Sequence, residues 1–314
     1  MLRSPRALRL AIALFFLLAV SPGARALIHT GGVTTGTIAG VDVYDTTNPA
    51  SPVLTDQTET LSPTGAFTLV HDSLFVATGL NVRRYDSRDI SGPALGTWAA
   101  GSQVLALADG PQRGLVLVLD SSQLSLVRFP DAGAPVLVWS MPIDESAAGS
   151  NPGRIVLRDG GRAYVADASI PGIRVILVDP LQAPVTLATY ASPDGVIHDM
   201  SLWGGRLTLA TDAGVTVVGV TGADQPTLSR LGFLPTSQPP SRVDANSRYA
   251  LVGNGQDVTV VDVDPASAGF LSGTLDQWHA ASSVDAVRLD KADRAYVLLP
   301  GGYEILGVGS FGGR

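Results

Sequence analysis

Short runs of β-branched and aliphatic residues recur along the chain, separated by Gly, Pro, Asp and Asn. One run appears seven times, and successive copies start about 42 residues apart. The copies are 41–45, 82–86, 124–128, 174–178, 215–219, 258–262 and 303–307. Most copies are followed by a second run, such as Pro52-Val53-Leu54 or Pro135-Val136-Leu137, and two further runs precede them. Each repeated unit therefore contains four short β-type runs.

The links between the runs have the residues that tight hairpin turns require. Gly160-Gly161, Gly204-Gly205 and Asn254-Gly255 supply residues that adopt positive φ at little cost. No stretch beyond the first 26 residues shows a helical period over eleven residues, and Glu, Lys, Gln and Met are scarce. Each unit is therefore predicted to form four short antiparallel strands, and the chain to be all-β.

Repetition of a four-stranded unit of about 40 residues is typical of a β-propeller. One four-stranded sheet leaves both faces uncovered, whereas sheets stacked face to face around a closed ring bury nearly all of them. The seven copies of the recurrent run favour seven blades, and six blades plus a spare N-terminal strand is the alternative. The last unit ends at its third strand, so the two ends of the ring are expected to meet in or beside one blade.

The segment 37–54 has Gly40, a β-type run that ends in Asp45, and the turn Asn48-Pro49-Ala50-Ser51-Pro52 before the next strand. In this pattern it resembles the repeat of the bacterial LVIVD-repeat proteins. Segments 173–180 and 258–265 are similar, and the others are more degraded. The resemblance implies an exported or surface-associated propeller without a generally defined activity, and it supplies no catalytic residues.

The N-terminal segment is predicted to be a secretory signal peptide over residues 1–26. Three arginines precede an apolar run over 10–20, and the small-x-small site Ala24-Arg25-Ala26 follows it. A helix of this run spans roughly 16 Å, about half of a bilayer core, so an integral membrane anchor is the poorer interpretation. Cleavage near Ala26 would leave an extracytoplasmic propeller domain over 27–314, periplasmic, secreted or at the cell surface.

Charge and composition remove several classes of function. The chain has 21 basic residues, 28 acidic residues and no Cys. Without the four arginines of the predicted signal, acidic residues exceed basic ones by 11, which argues against a nucleic-acid partner. The absence of Cys excludes a disulfide scaffold, a thiolate zinc site, an iron–sulfur cluster and a cysteine nucleophile.

Six residues are candidates for ligand binding on the propeller face where such loops gather: Trp98, Asp144, His198, Asp199, Trp278 and His279. His198-Asp199 could serve as a general base or metal ligand, although adjacent strand residues point to opposite faces and cannot simply pair. Trp278-His279 suits ligand stacking, and packing between blades is the alternative role for the Trp. Asp144 lies in a long irregular segment that could instead be a solvated acidic tip.

No catalytic motif accompanies these candidates. There is no Gly-x-Ser-x-Gly elbow, no phosphate-binding loop, no dinucleotide fingerprint and no close pair of histidines. We therefore predict no catalytic residue, metal or cofactor. The favoured function is a non-enzymatic exported scaffold that binds a protein or glycan. The alternatives are a lactonase- or hydrolase-like propeller enzyme with a site at the channel mouth, and a purely structural module.

Overall fold

The computed structural model describes residues 26–29, 32–36, 40–45, 53–59, 64–143, 156–167, 170–289, 294–299 and 302–307. All helices and strands assigned within these ranges are of one kind, β-strands, which confirms the all-β prediction. The strands are, in chain order, β1 (Ala26–His29), β2 (Gly32–Gly36), β3 (Gly40–Asp45), β4 (Val53–Glu59), β5 (Thr64–Val70), β6 (Ser73–Thr78), β7 (Asn81–Asp86), β8 (Gly96–Ala99), β9 (Val104–Asp109), β10 (Leu115–Asp120), β11 (Gln123–Arg128), β12 (Val136–Pro142), β13 (Val156–Asp159), β14 (Arg162–Asp167), β15 (Gly172–Leu177), β16 (Val185–Ala191), β17 (Ile197–Trp203), β18 (Arg206–Thr211), β19 (Gly214–Thr221), β20 (Thr227–Pro235), β21 (Arg242–Ala245), β22 (Tyr249–Asn254), β23 (Asp257–Asp262), β24 (Thr274–His279), β25 (Ala286–Leu289), β26 (Arg294–Leu299) and β27 (Gly302–Gly307).

These strands form successive antiparallel sheets, each built from strands that are consecutive in the chain. Within the described ranges, sheets 1 to 6 have four strands each (β1–β4 through β21–β24), and sheet 7 has three (β25–β27). The recurrent run falls on the third strand of every sheet, and the second run forms the fourth strand. The four-stranded repeat is thereby confirmed, and the number of blades stays a prediction.

The sheets follow one another around a ring. The first strands of neighbouring sheets contact each other from β5 to β9 to β13, and again from β17 to β21 to β25. Sheet 1 contacts sheet 2 through β2 and β5, and sheet 4 contacts sheet 5 through β16 and β20. The ring closes where β25 lies against β1. The first strands therefore surround the axis of the ring, and the fourth strands form its outer edge.

Apolar clusters fill the spaces between successive sheets. One cluster joins sheets 2 and 3 through residues such as Phe75 and Val116, and another joins sheets 3 and 4 through residues such as Leu117 and Val165. Similar clusters occupy the four other junctions from sheet 1 to sheet 7. All six residues of β6 and of β10 are buried, because the strands in the middle of a blade are covered on both faces.

The turns follow the predicted chemistry. Gly204 and Gly205, between β17 and β18, have φ values of 53° and 75°. Gly160 and Gly161, between β13 and β14, have φ values of 54° and 82°. Two successive residues with positive φ define the tight hairpin turn whose twist matches the flanking strands. These two-residue turns fix the register of the first and second strands in sheets 4 and 5.

The ring has two faces that differ in which connections they carry. Because consecutive strands are antiparallel, the turns from second to third strand lie at the same end as the links from one sheet to the next. We call this end the mouth face. The turns from first to second strand and from third to fourth strand lie at the opposite face.

The outermost strands are irregular at corresponding positions. The pairing of third and fourth strands shifts register by one residue in sheets 1, 3, 4, 5 and 6. The extra residue, which lies on the fourth strand, is Thr55, Val138, Leu187, Leu231 or Leu275. Leu231 and Leu275 are 42% and 41% exposed. A β-bulge of this kind bends the strand and increases its twist.

A buried arginine links sheet 2 to sheet 3 at the opposite face. The Nε of Arg84, on β7, donates to Ser73 Oγ at 2.9 Å. Its Nη1 donates to the main-chain oxygens of Phe129 and Pro130 at 3.2 and 3.1 Å, and its Nη2 donates to Asp131 at 3.1 Å. The Arg84 side chain is only 6% exposed. It therefore holds the turn after β11 against the neighbouring sheet.

Candidate functional site

The first strand of sheet 5 begins at the mouth face with a β-bulge. Ile197 pairs with Thr211 and Asp199 pairs with Ala210, so His198 is the extra residue between them. Bulges often occur at barrel rims and beside active sites, where they change the direction of a side chain. The bulge therefore sets His198 apart from the regular alternation of β17.

In sheets 6 and 7 the corresponding residue comes directly before the first strand. The N–H of Ser241 donates to the Gly253 oxygen at 2.9 Å, and Arg242 pairs with the same glycine. The N–H of Asp285 donates to the Leu298 oxygen at 2.9 Å, and the next residue of the chain pairs with Leu298. Ser241 and Asp285 thus occupy the position of His198 in the next two sheets. Polar residues at all three positions define the candidate site at the channel mouth.

His198 forms a pair with a carboxylate from the turn after β18. Its Nε2 lies 2.8 Å from Asp212 Oδ1, and the Val196 N–H donates to Asp212 Oδ2 at 2.9 Å. The side chains are 18% and 49% exposed. A histidine oriented by an anchored carboxylate can exchange protons with a bound molecule. His198 thus contacts a carboxylate from another turn, and how it relates to its neighbour Asp199 stays a prediction.

Asp199 instead links two first strands. Its Oδ1 accepts the N–H of Met200 at 3.0 Å, and its Oδ2 accepts the N–H of Val243 on β21 at 3.0 Å. The residue is 7% exposed. A backbone N–H buried without an acceptor is costly. This carboxylate therefore supplies the acceptor for the Val243 N–H at the edge of β21. Its ligand-binding role stays a prediction, and its observed contacts are internal.

The same connection continues around the ring. The Ser201 hydroxyl donates to Asp244 Oδ1 at 2.8 Å and accepts the Ala245 N–H at 3.0 Å. Asp244 Oδ2 accepts the N–H of Leu289 on β25 at 2.8 Å. Side chains of β17 and β21 therefore hold the backbone of the next first strand, which fixes the three strands that carry the candidate site.

Arg242 is held at the mouth by main-chain oxygens. Its Nε donates to the Asp285 oxygen at 2.5 Å, and its Nη1 donates to the Ser241 oxygen at 2.7 Å. Within the described residues, no carboxylate oxygen lies within ion-pair distance of this guanidinium. The main-chain contacts fix its direction while its charge is left without an ion-pair partner.

The Asp285 side chain lies beside this arginine in a partly desolvated position. Burial raises the pKa of Asp285 to about 6, and the Arg242 charge opposes this shift only in part. Its Oδ2 is buried and accepts no hydrogen bond from any described residue. The carboxyl group is therefore easier to protonate than an ordinary Asp.

This raised pKa predicts a pH-dependent contribution to stability. Because the folded-state pKa exceeds the ordinary value of about 3.9, the folded protein binds this proton more tightly, and stability is lost as pH rises from about 4 to about 6. Asp285→Asn removes the charge, so we expect it to be about 1 kcal/mol more stable than the parent at pH 7.5, with solvent screening included.

Denaturant unfolding at pH 4.0 and 7.5 measures this difference. The advantage of Asp285→Asn should shrink or reverse at pH 4.0. Asp224→Asn, in the exposed turn after β19, is the matched control and should follow the parent at both pH values. An equal effect of Asp285→Asn at the two pH values would contradict the prediction.

Trp98 and Trp278 occupy corresponding positions on the fourth strands of sheets 2 and 6. Trp98 pairs with Val82, and Trp278 pairs with Val258. Both indole rings are half-buried and pack against the apolar clusters between their own sheet and the next one. Packing between blades is thus what the structure shows for them, and ligand stacking stays a prediction.

His279 lies on the other face of its strand from Trp278. Its Nδ1 lies 2.8 Å from Asp257 Oδ1, and the side chains are 67% and 39% exposed. The hydrogen bond from His279 lowers the pKa of Asp257, and a second one from Gln277 adds to the effect. Because side chains alternate along a strand, Trp278 and His279 do not form one binding surface.

A second polar network lies between sheets 4 and 5. Asp194, which is 8% exposed, accepts hydrogen bonds from Thr216 Oγ1 and Arg230 Nη2, each at 2.7 Å. Burial, and then the negative charge of Asp194, raise the pKa of Tyr190 nearby. Both oxygens of Asp194 are engaged within the protein, so the network ties the link between the sheets to β19 and β20.

Asp144, the remaining sequence candidate, lies outside the described residues. Within the described part of the chain, no three or more His, Asp or Glu side chains cluster in a way that could hold a metal ion. No helix in that part has the length and apolar character needed to cross a membrane.

Sequence reasoning missed Asp212, Ser241, Arg242 and Asp285. The repeat carries a signal for two of them, because Ser241 and Asp285 lie one and two repeat periods after His198 in the sequence. No local pattern marks Asp212, because its contact with His198 joins the turn after β18 to the bulge in β17.

The comparisons with known proteins establish the fold class. No protein-family model matches the chain, and a search of curated proteins finds no match. Among solved structures, it is similar to the β-propeller domain of Cps50 (Swd1) from Myceliophteria thermophila, with TM-score 0.73, 11% identity, and coverage of 93% of this chain and 98% of that one. It is also similar to the computationally designed Ika8 protein, with TM-score 0.63, 10% identity, and coverage of 93% and 99%. Together with the ring of four-stranded sheets, the first similarity shows that the chain is a β-propeller.

Proposed function

We propose that this β-propeller is a non-enzymatic binding scaffold that takes a protein or glycan ligand at the channel mouth. The observation that carries the proposal is that the carboxylates of two first strands are occupied by internal hydrogen bonds. Asp199 accepts the N–H groups of Met200 and Val243, and Asp244 accepts the Leu289 N–H and the Ser201 hydroxyl. Carboxylates committed in this way serve the scaffold and are poorly suited to move protons in a reaction.

The groups that remain for a ligand are partly exposed and chemically mixed. His198, Arg242 and Asp285 come from three adjacent sheets and offer a histidine, a guanidinium and a carboxyl group. The hydrogen bonds between β17, β21 and β25 fix their supporting backbone before any ligand arrives. Preorganisation of this kind reduces the entropy lost on binding.

We also propose that the protein is exported and that its repeat is of the bacterial LVIVD type. The basic, apolar and small-x-small pattern of residues 1–26 supports a cleaved signal peptide and an extracytoplasmic location. The run 40–45 with its Asn-Pro-x-x-Pro turn supports a bacterial LVIVD-type repeat. Mass spectrometry of the exported protein should find a new N-terminus at Leu27, and an intact N-terminus on exported protein would contradict this part.

Ligand capture by immobilised protein tests the binding function. The parent is compared with the mouth variant His198→Ala/Arg242→Gln and with Arg113→Gln, which alters an exposed arginine on the opposite face. A protein or glycan retained by the parent and by Arg113→Gln, and lost with the mouth variant, is the expected result. Equal retention by all three proteins would place binding elsewhere and contradict the proposal.

The pair of His198 and Asp212 supports one alternative, a hydrolase- or lactonase-like enzyme. The 2.8 Å contact and the anchored carboxylate match the geometry of a base held by an orienting group. Our proposal predicts no turnover of ester and lactone substrates above background. Turnover abolished by His198→Gln and kept by His279→Gln, which removes a similar pair on the fourth strand, away from the ring axis, would favour the enzyme.

A further inference from the structure

Arg242 combines a fixed direction with the lack of an acidic partner. Within the described part of the chain, five arginines lie within 4.0 Å of a carboxylate oxygen: Arg84, Arg113, Arg174, Arg206 and Arg230. Arg242 has none among the described residues and is held only by the main-chain oxygens of Ser241 and Asp285. Its positive charge is thus positioned by neutral acceptors at the channel mouth.

The guanidinium retains capacity to bind. A guanidinium has five N–H donors, and two of the Arg242 nitrogens each donate to one main-chain oxygen. The Nη2 nitrogen donates to no described residue. A planar guanidinium with free N–H groups and a fixed direction is matched to a carboxylate, which can accept two parallel hydrogen bonds from it.

The surrounding acidic groups do not cancel this charge through direct contact. Asp199 is bound by two backbone N–H groups, Asp244 by a backbone N–H and the Ser201 hydroxyl, and Asp212 by His198 and a backbone N–H. The Asp285 carboxyl group interacts electrostatically with Arg242, and burial favours its neutral form. The neutral form can donate a hydrogen bond to an anion beside Arg242.

We propose that Arg242 binds a carboxylate group of the ligand at the channel mouth. The C-terminus of a peptide and a small organic acid both carry this group, and the shared chemistry is a carboxylate that meets the free N–H groups of Arg242. This inference deepens the proposed binding function and rests on it. The ligand enters at the mouth face, between the starts of β21 and β25.

NMR of the purified parent protein at pH 5.0 tests the proposal directly. The Nε–Hε signal of Arg242 is followed during titration with acetyl-Ala-Ala, with the same peptide as its C-terminal amide, and with acetate. We expect saturable shifts with the peptide acid and at least tenfold weaker binding of the amide. Saturation by acetate at a similar concentration assigns a small organic acid, and preference for the peptide acid assigns a C-terminus.

Variants supply the matched comparison. Arg242→Gln should weaken binding of the preferred carboxylate at least tenfold, and Arg113→Gln, with the same change in charge, should bind like the parent. Absence of any carboxylate-dependent shift at Arg242, or equal binding of acid and amide, would overturn the proposal even if Arg242→Gln fails to fold. If neither carboxylate binds while ligand capture still depends on the mouth, the carboxylate assignment fails and the binding function stands.

Discussion

Replacing Arg84 by Met is expected to lower the free energy of unfolding by about 3 kcal/mol, because the turn after β11 loses its buried donors. Met fills much of the space of the arginine stem but cannot donate to the oxygens of Phe129 and Pro130. Each buried acceptor left without a partner costs about 1–3 kcal/mol. Thermal melting should show a decrease of about 6 °C or more for a domain of this size.

Arg83→Met is the matched control for this experiment. Arg83 is the neighbouring residue on β7, is half-buried, and has no hydrogen bond or ion pair to any other described residue. We expect it to change the free energy of unfolding by less than about 0.5 kcal/mol. Equal melting temperatures for the two variants would show that the contacts of Arg84 do not hold sheets 2 and 3 together.

Asp199→Ala is expected to cost about 2–3 kcal/mol for a different reason. The substitution removes the acceptor of two backbone N–H groups, those of Met200 and Val243, in a place that is 7% exposed. Asp199→Asn should be intermediate, because its amide keeps one acceptor oxygen. Chemical denaturation gives the change in stability, and amide exchange at Val243 should become faster than in the parent.

The comparison variant is Asp224→Ala, which removes an exposed carboxylate in the turn after β19. It should leave both stability and Val243 exchange unchanged. Unaltered exchange at Val243 in Asp199→Ala would contradict the role of this carboxylate as a link between first strands, whatever the change in stability.

The fold could be predicted from the sequence because its signals are local and repeated. The run at 174–178, its turn and the Pro184-led strand after it lie within about a dozen residues of each other, and they recur in most units. The structure confirms this order, with the recurrent run on the third strand and the second run on the fourth. Each junction between sheets then repeats the same burial of apolar side chains.

The site could be predicted only in part, because its contacts join residues of different units. Asp199 meets Val243 on β21, and Arg242 meets the oxygen of Asp285 before β25. No local pattern specifies these pairs. The bulge at His198 also breaks the two-residue alternation on which a sequence argument depends.

The outer edge of the ring affects whether copies of the protein associate at high concentration. An exposed strand with a continuous row of N–H and C=O groups can template pairing with another molecule, and apolar side chains such as Leu275 strengthen that tendency. The one-residue shifts in the fourth strands interrupt this row at a similar height in sheet after sheet. Such interruptions disfavour in-register pairing with a second copy, so we expect the propeller to carry aliphatic residues on its rim without growing into fibrils.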